Sequence, residues 1–88
     1  MNKLACRIIE EIDVNPTTIV NLVDGGVGIA WNTVDFYCDV EIYKNEVVFT
    51  LSKDRKHLEF ITTDHDSIEY GIIKLKQIIN LSLDILPN

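Results

Sequence analysis

The stretch DGGVGIAWNTVDFYCDVEIY, Asp24 to Tyr43, decides the fold. Gly25-Gly26 supplies the positive φ values that a two-residue hairpin turn requires, and Asp24 stands before it to bond the turn backbone. Such a turn sets Leu22 opposite Ile29 and Val20 opposite Trp31, so Val20, Leu22, Val27, Ile29 and Trp31 share one apolar face by the period of two. A second turn over Asn32 to Asp35 brings Phe36 opposite Trp31, and Phe36, Cys38, Val40 and Ile42 continue that face. The hairpin fixes a sheet; it contains no motif that names a reaction or a ligand.

Working outward, a first strand runs from about Thr17 to Val23, entered through Asn15-Pro16, where the residue before proline is pushed out of the helical region. Lys44-Asn45 reads as a further two-residue turn that pairs Ile42 with Val47, Val40 with Phe49 and Cys38 with Leu51. Lys53 to His57 forms a polar, mostly basic loop. A fifth strand, Leu58 to Thr63, returns Leu58 and Phe60 to the apolar face. Before the sheet, residues 2 to 12 place Leu4, Ala5, Ile8, Ile9 and Ile12 at helical spacing, with Glu10 and Glu11 opposite. After it, Asp66 and Glu69 form a capping-box pattern, and Ile68, Ile72, Leu75 and Ile79 make one stripe of a helix from Ser67 to about Leu83, with Leu86 near the stripe. Gly71 lies beside that stripe, where a missing side chain permits close approach to the sheet.

The expected fold is α+β: a five-stranded antiparallel meander in one domain spanning residues 1 to 88, with an N-terminal and a C-terminal helix packed on one face. At 88 residues, 47% hydrophobic and 25% charged, the chain can bury one core and is not a disordered type. No apolar run approaches the roughly 18 residues of a membrane span, and Met1 to Asp13 carries acidic residues where a signal peptide needs an apolar stretch. The expectation is a cytoplasmic protein without a membrane partner. Cys6 and Cys38 both fall at positions read as core and are expected to be reduced structural thiols.

Catalytic and metal readings are weak. His57 and His65 are separated by a strand of six residues, roughly 20 Å at about 3.3 Å per residue, too far for joint ligation. Both cysteines lie away from both histidines, so neither has a base to activate it. The GGVG run is followed by a strand and has no lysine and hydroxyl opening a helix, so it is not a phosphate loop. Asp39 with Glu41 are ordinary solvated strand positions as far as hydrolysis is concerned. No catalytic residue, metal or cofactor is expected, and the chain is read as a non-enzyme.

The outer face of the sheet is more informative. It is expected to display Asn21, Gly28, Ala30, Tyr37, Asp39, Glu41, Tyr43, Val48, Thr50, Ser52, Glu59, Ile61 and Thr63. Of these, Tyr37, Tyr43, Val48 and Ile61 are larger and more apolar than solvation requires, and they stand among the carboxylates Asp39, Glu41 and Glu59. Tyrosine gives contact area with few rotatable bonds and a polar tip, which suits a binding surface; β propensity alone also favours these residues. Fourteen acidic against eight basic residues give a net charge of −6, which disfavours direct contact with a nucleic-acid backbone and favours a basic protein surface.

The order Pro16, Asp24-Gly25-Gly26-Val27, Trp31 and Asp39-Val40-Glu41-Ile42 resembles a segment of small bacterial and phage-associated proteins with a DGG turn, a tryptophan and an acidic strand. Ala30 stands here where those proteins commonly carry a glutamate. In size and charge the chain also resembles phage anti-defence inhibitors, including anti-CRISPR proteins, and antitoxins. The resemblance implies no catalytic residues. Together with the charge and the sheet face, it favours a non-catalytic inhibitor; the face read from the strand alternation, Tyr37, Asp39, Glu41, Tyr43, Val48, Glu59 and Ile61, is expected to occupy a basic surface of a target protein. Two other readings stand beside it. One is an oligomeric sponge for a nucleotide, with Lys53, Arg55 and Lys56 as anion contacts. The other is an assembly subunit or homodimer that pairs through an edge strand, Thr17 to Val23 or Leu58 to Thr63.

Overall fold

In the computed structural model the chain is described over residues 2–32, 36–53 and 57–85, with residues 53, 57 and 81–85 described by their backbone only. Helix α1 (Lys3–Ile12) leads into strands β1 (Thr18–Asn21), β2 (Val27–Asn32), β3 (Phe36–Ile42), β4 (Val47–Lys53) and β5 (His57–Thr63), and helix α2 (Glu69–Ile85) closes the order. The strands form one antiparallel sheet in sequence order, β1-β2-β3-β4-β5. Alternate residues of β2, β3 and β4 and one stripe of each helix enter a single core. Both helices therefore cover the same side of the sheet, as the apolar patterns require.

Local chemistry explains the helix ends and their packing. Asn2 Oδ1 accepts from the N–H groups of Leu4 and Ala5, at 2.8 and 3.3 Å, and caps α1. Asp13, with φ 59°, ends it in the left-handed conformation. Ala5, Ile8 and Ile12 are buried, and Leu4 and Ile9 pack at the margin. Cys6 points out of that stripe and is exposed, which corrects its expected core position; Cys38 is buried as expected, and both are free thiols. The Trp31 indole N–H donates to the Val14 carbonyl at 2.8 Å, so the largest buried ring also ties the α1–β1 connection to β2.

Ile68, immediately before α2, and Ile72, Leu75 and Ile79 within it supply the buried stripe that the periodicity predicts. Leu86 lies outside the described residues. The capping box does not form, because the Asp66 N–H donates to Asp64 Oδ1 at 3.1 Å while Glu69 pairs with Arg7 of α1. Arg7 also meets Glu11 at 3.2 Å, and these exposed ion pairs are worth little beside the apolar contact of the two helices.

The turns decide which residues face which side. Lys44-Asn45 turns as expected: Tyr43 N–H reaches the Glu46 carbonyl at 2.9 Å, and Ile42 pairs with Val47, Val40 with Phe49 and Cys38 with Leu51. The DGG turn does not follow the expected register. Asp24 and Gly25, not Gly25-Gly26, take positive φ, 61° and 79°, and Leu22 N–H reaches the Gly26 carbonyl at 2.8 Å. Val27 then pairs with Asn21 instead of Asp24, a slip of three residues. An odd slip inverts β1: Val20 and Leu22 belong to the open face, and Asn21 belongs to the helix side. Trp31 pairs with Cys38 instead of Phe36, an even slip that keeps the faces of β3; the expected Asn32–Asp35 turn lies largely outside the described residues.

Strand β5 is also inverted. Ile61 stands opposite Phe49, Glu59 opposite Leu51 and Thr63 opposite Val47, so these three face the helices. Ile61 packs against the core, while Glu59 stays exposed because β5 is the edge strand. Leu58 and Phe60 instead stand on the open face, 62% and 66% exposed.

Gly71 sets how closely α2 lies on the sheet. A Cβ there would fall 2.2 Å from Phe49 Cε2, in a ring with no exposed surface to yield. Gly71→Ala gains about 1 kcal/mol of helix propensity but forces overpacking that costs typically about 1–3 kcal/mol. Urea denaturation should therefore show a net loss of stability; a gain would place the closest helix–sheet contact elsewhere.

Candidate functional site

The open face is built on β3, the middle strand, whose side chains alternate strictly between buried and partly exposed. Phe36, Cys38, Val40 and Ile42 go into the core. Tyr37, Asp39 and Glu41 therefore form a column on the other side, and Tyr43 extends it into the turn. Within the column each tyrosine serves a carboxylate two residues away on the same face: the Tyr37 hydroxyl donates to Asp39 Oδ2 at 2.5 Å, and the Tyr43 hydroxyl donates to Glu41 Oε2 at 2.8 Å. The Tyr43 carbonyl accepts a 2.7 Å hydrogen bond from His65 Nε2, which requires that nitrogen to carry the proton.

These hydrogen bonds and the partial burial of the column shift its titration. The Tyr37 hydroxyl is pushed up to about 12, first by its hydrogen bond to Asp39 and then by burial. Tyr43 is raised in the same direction, chiefly by its bond to Glu41. Both remain protonated donors at neutral pH. The Asp39 carboxyl is raised by burial, with the Tyr37 bond opposing and the Glu41 charge reinforcing the rise. Thr50, opposite Asp39 on β4, also favours the charged form. Asp39 Oδ1 itself is buried and accepts no hydrogen bond from a described residue. Burial raises the Cys38 thiol to about 11, which keeps it protonated at neutral pH on the helix side of the sheet.

Across the sheet the register sets the column's neighbours. Glu41 stands beside Gly28 and Val48, Asp39 beside Ala30 and Thr50, and Tyr37 beside Asn32 and Ser52. Phe60 then follows Thr50, and Leu58 follows Ser52. The sheet thus brings together Tyr37, Asp39, Glu41, Tyr43 and Val48 of the expected face. It does not bring Glu59 and Ile61, which lie on the helix side because β5 is inverted. Leu58 and Phe60, which the sequence reading placed in the core, take their positions. The face consequently runs from an acidic, tyrosine-bearing centre to an exposed apolar flank.

The expected anion contacts are placed only in part. Lys53 is paired along the backbone with Phe36 and His57 at the far end of β4, while Arg55 and Lys56 lie outside the described residues. Among the described residues no group of three or more histidine, cysteine or acidic side chains converges as a metal site, and no helix is long and apolar enough to cross a membrane. No known protein family, curated protein or solved structure matches the chain.

Asp39 carries a testable cost. A carboxyl whose folded value is raised contributes stability at acid pH and loses it as pH rises through that value. Asp39→Asn keeps an acceptor for Tyr37 and removes the buried charge, so its melting midpoint should exceed that of the parent at pH 7. The difference should shrink as pH falls through the carboxylate range. About 1 kcal/mol moves the midpoint of a domain this size by about 4–8 °C, so thermal melts at stepped pH resolve it; a lower midpoint for the variant at pH 7 would contradict the account.

Proposed function

We propose that this chain is a non-catalytic protein-binding inhibitor that docks a basic surface of its target against the open face of the sheet. The observation that carries this reading is the column Tyr37–Asp39–Glu41–Tyr43 at the centre of an uncovered face, with Leu58 and Phe60 exposed beside it. Apolar and aromatic groups supply most of the energy of protein interfaces, and charge supplies selection of partner and approach rate. Both are present here on one surface.

A second copy of the chain is a poor occupant for that surface. Two such faces stacked on one another would set Asp39 and Glu41 against like charges, which costs several kcal/mol where water is excluded. The partner that fits has basic groups over the centre and an apolar patch over the β5 flank. A target surface that otherwise holds nucleic acid has that charge, which accords with the resemblance in type to phage anti-defence inhibitors and antitoxins. Localisation in the cytoplasm, where such targets act, belongs to the same proposal.

The test is capture from host lysate followed by affinity measurement with the purified partner at low and high salt. Glu41→Lys, Tyr43→Ala and Phe60→Ala should each weaken binding about ten-fold or more, as expected for central interface residues, while Glu10→Lys on the outer side of α1 should not. High salt should weaken the parent complex. Unchanged affinity in all three face variants would move the interaction off this face.

A further inference from the structure

The open face is not flat. Over β2 it sinks into a cleft of about 210 Å³, because Gly28 and Ala30 give the floor almost no side chain. Val20 of β1 and Leu22 just beyond it wall one side, and Asp39 and Glu41 of β3 wall the other. Val20 leans so far over the floor that a Cβ on Gly28 would lie 3.0 Å from Val20 Cγ2. One wall is thus apolar and the other anionic.

Two oxygens in this lining are buried and accept no hydrogen bond from any described residue: Asn32 Oδ1 and Asp39 Oδ1. They sit on adjacent strands, diagonally across the β2–β3 pair, because Asn32 pairs with Tyr37 and Ala30 with Asp39. Tyr37 holds Asp39 Oδ2, which fixes the other oxygen as the unpartnered one. Buried acceptors without donors are destabilising, and an ionised one more so. What completes both is a group rich in N–H donors, positively charged, and carried on an apolar stem.

We infer that this cleft receives an arginine side chain of the docked partner, an inference that rests on the docking function proposed above. The guanidinium donates to Asp39 Oδ1 and Asn32 Oδ1 under the added charge of Glu41, and the methylene stem lies along Val20 and Leu22. Arginine fits better than lysine because its planar fork offers five donors to two separate acceptors and is more weakly hydrated than an ammonium group. A second copy of this chain does not supply that group at the centre of its own face, which is acidic.

The experiment is an amide chemical-shift titration of the ¹⁵N-labelled protein with N-acetyl-arginine N-methylamide. Saturable shifts are expected at Gly28, Ala30, Asn32 and Asp39. The lysine analogue should bind about five-fold more weakly or worse, given its single point charge. Ala30→Val fills the floor with a residue suited to a strand, and Asp39→Asn removes the charge while keeping the shape; each should weaken binding about ten-fold, as loss of a charged hydrogen bond does. Absence of saturable shifts in the parent protein overturns the inference, as does binding that survives both variants or that does not distinguish arginine from lysine. The protein partner separates this inference from the reading beneath it. If Glu41→Lys and Phe60→Ala abolish the complex while Ala30→Val leaves it intact, the cleft is overturned and the docking face stands. If none of the three matters, both fall.

Discussion

Helix α2 lies on the sheet at the distance that Gly71 permits. The Phe49 ring occupies the space a side chain there would fill, and Phe49 sits on β4 between Val40 of β3 and Ile61 of β5. That contact commits one side of the sheet to the helices. Helix α1 then fits beside α2, burying Ala5, Ile8 and Ile12 in the same core. Among the described residues no third layer covers the other side. The bare face is therefore a consequence of how the core closes, and what stands on it is decided strand by strand by register.

Where alternation is strict and the turn has one centre, sequence and structure agree. Strands β3 and β4 meet through Lys44-Asn45 in the expected register, and the column from Tyr37 to Tyr43 follows directly. At Asp24-Gly25-Gly26 the chain offers two turn centres, since aspartate also tolerates the left-handed conformation. The structure uses Asp24 with Gly25 and leaves five residues between the paired Asn21 and Val27. No pattern in or next to β1 resists the resulting inversion, because Ile19, Val20 and the following Leu22 put apolar residues on both sides. The indole bond from Trp31 to Val14 was likewise invisible, because it depends on where an irregular connection passes.

Strand β5 is a different kind of miss. Leu58, Phe60 and Ile61 cannot all face inward, and bulk favours the first two. Register favours the third. A loop over Lys53 to His57 already sets Leu58 opposite Ser52, and Ser52 alternates outward from Leu51. Counted across that turn as across the preceding one, the sequence itself puts Leu58 and Phe60 on the open face and Glu59 with Ile61 beneath it. The observed pairing of Ser52 with Leu58 is the same. Size is a poor guide at an edge strand, where helix cover ends and an apolar side chain can remain exposed.

The chemistry of the column was less legible than its location. Sequence alternation puts tyrosines and carboxylates on one face, but it cannot say that each tyrosine hydroxyl serves the carboxylate two residues away. That pairing matters because it consumes one oxygen of Asp39 and leaves the other buried and unpartnered. A fold selected only for stability would put an asparagine or threonine at this position at no loss to the core. Keeping an ionisable group there lowers stability in the isolated chain and raises the reward for a cationic partner, since the same burial that lifts the carboxyl's pKa also strengthens any charge placed against it. An exposed apolar flank such as Leu58 and Phe60 carries little charge selectivity, whereas a half-buried carboxylate such as Asp39 favours a cation over other groups. In the docking we propose, apolar contact and charge recognition fall to different strands of one sheet, and the register of β5 and β3 against β4 sets them side by side on the open face.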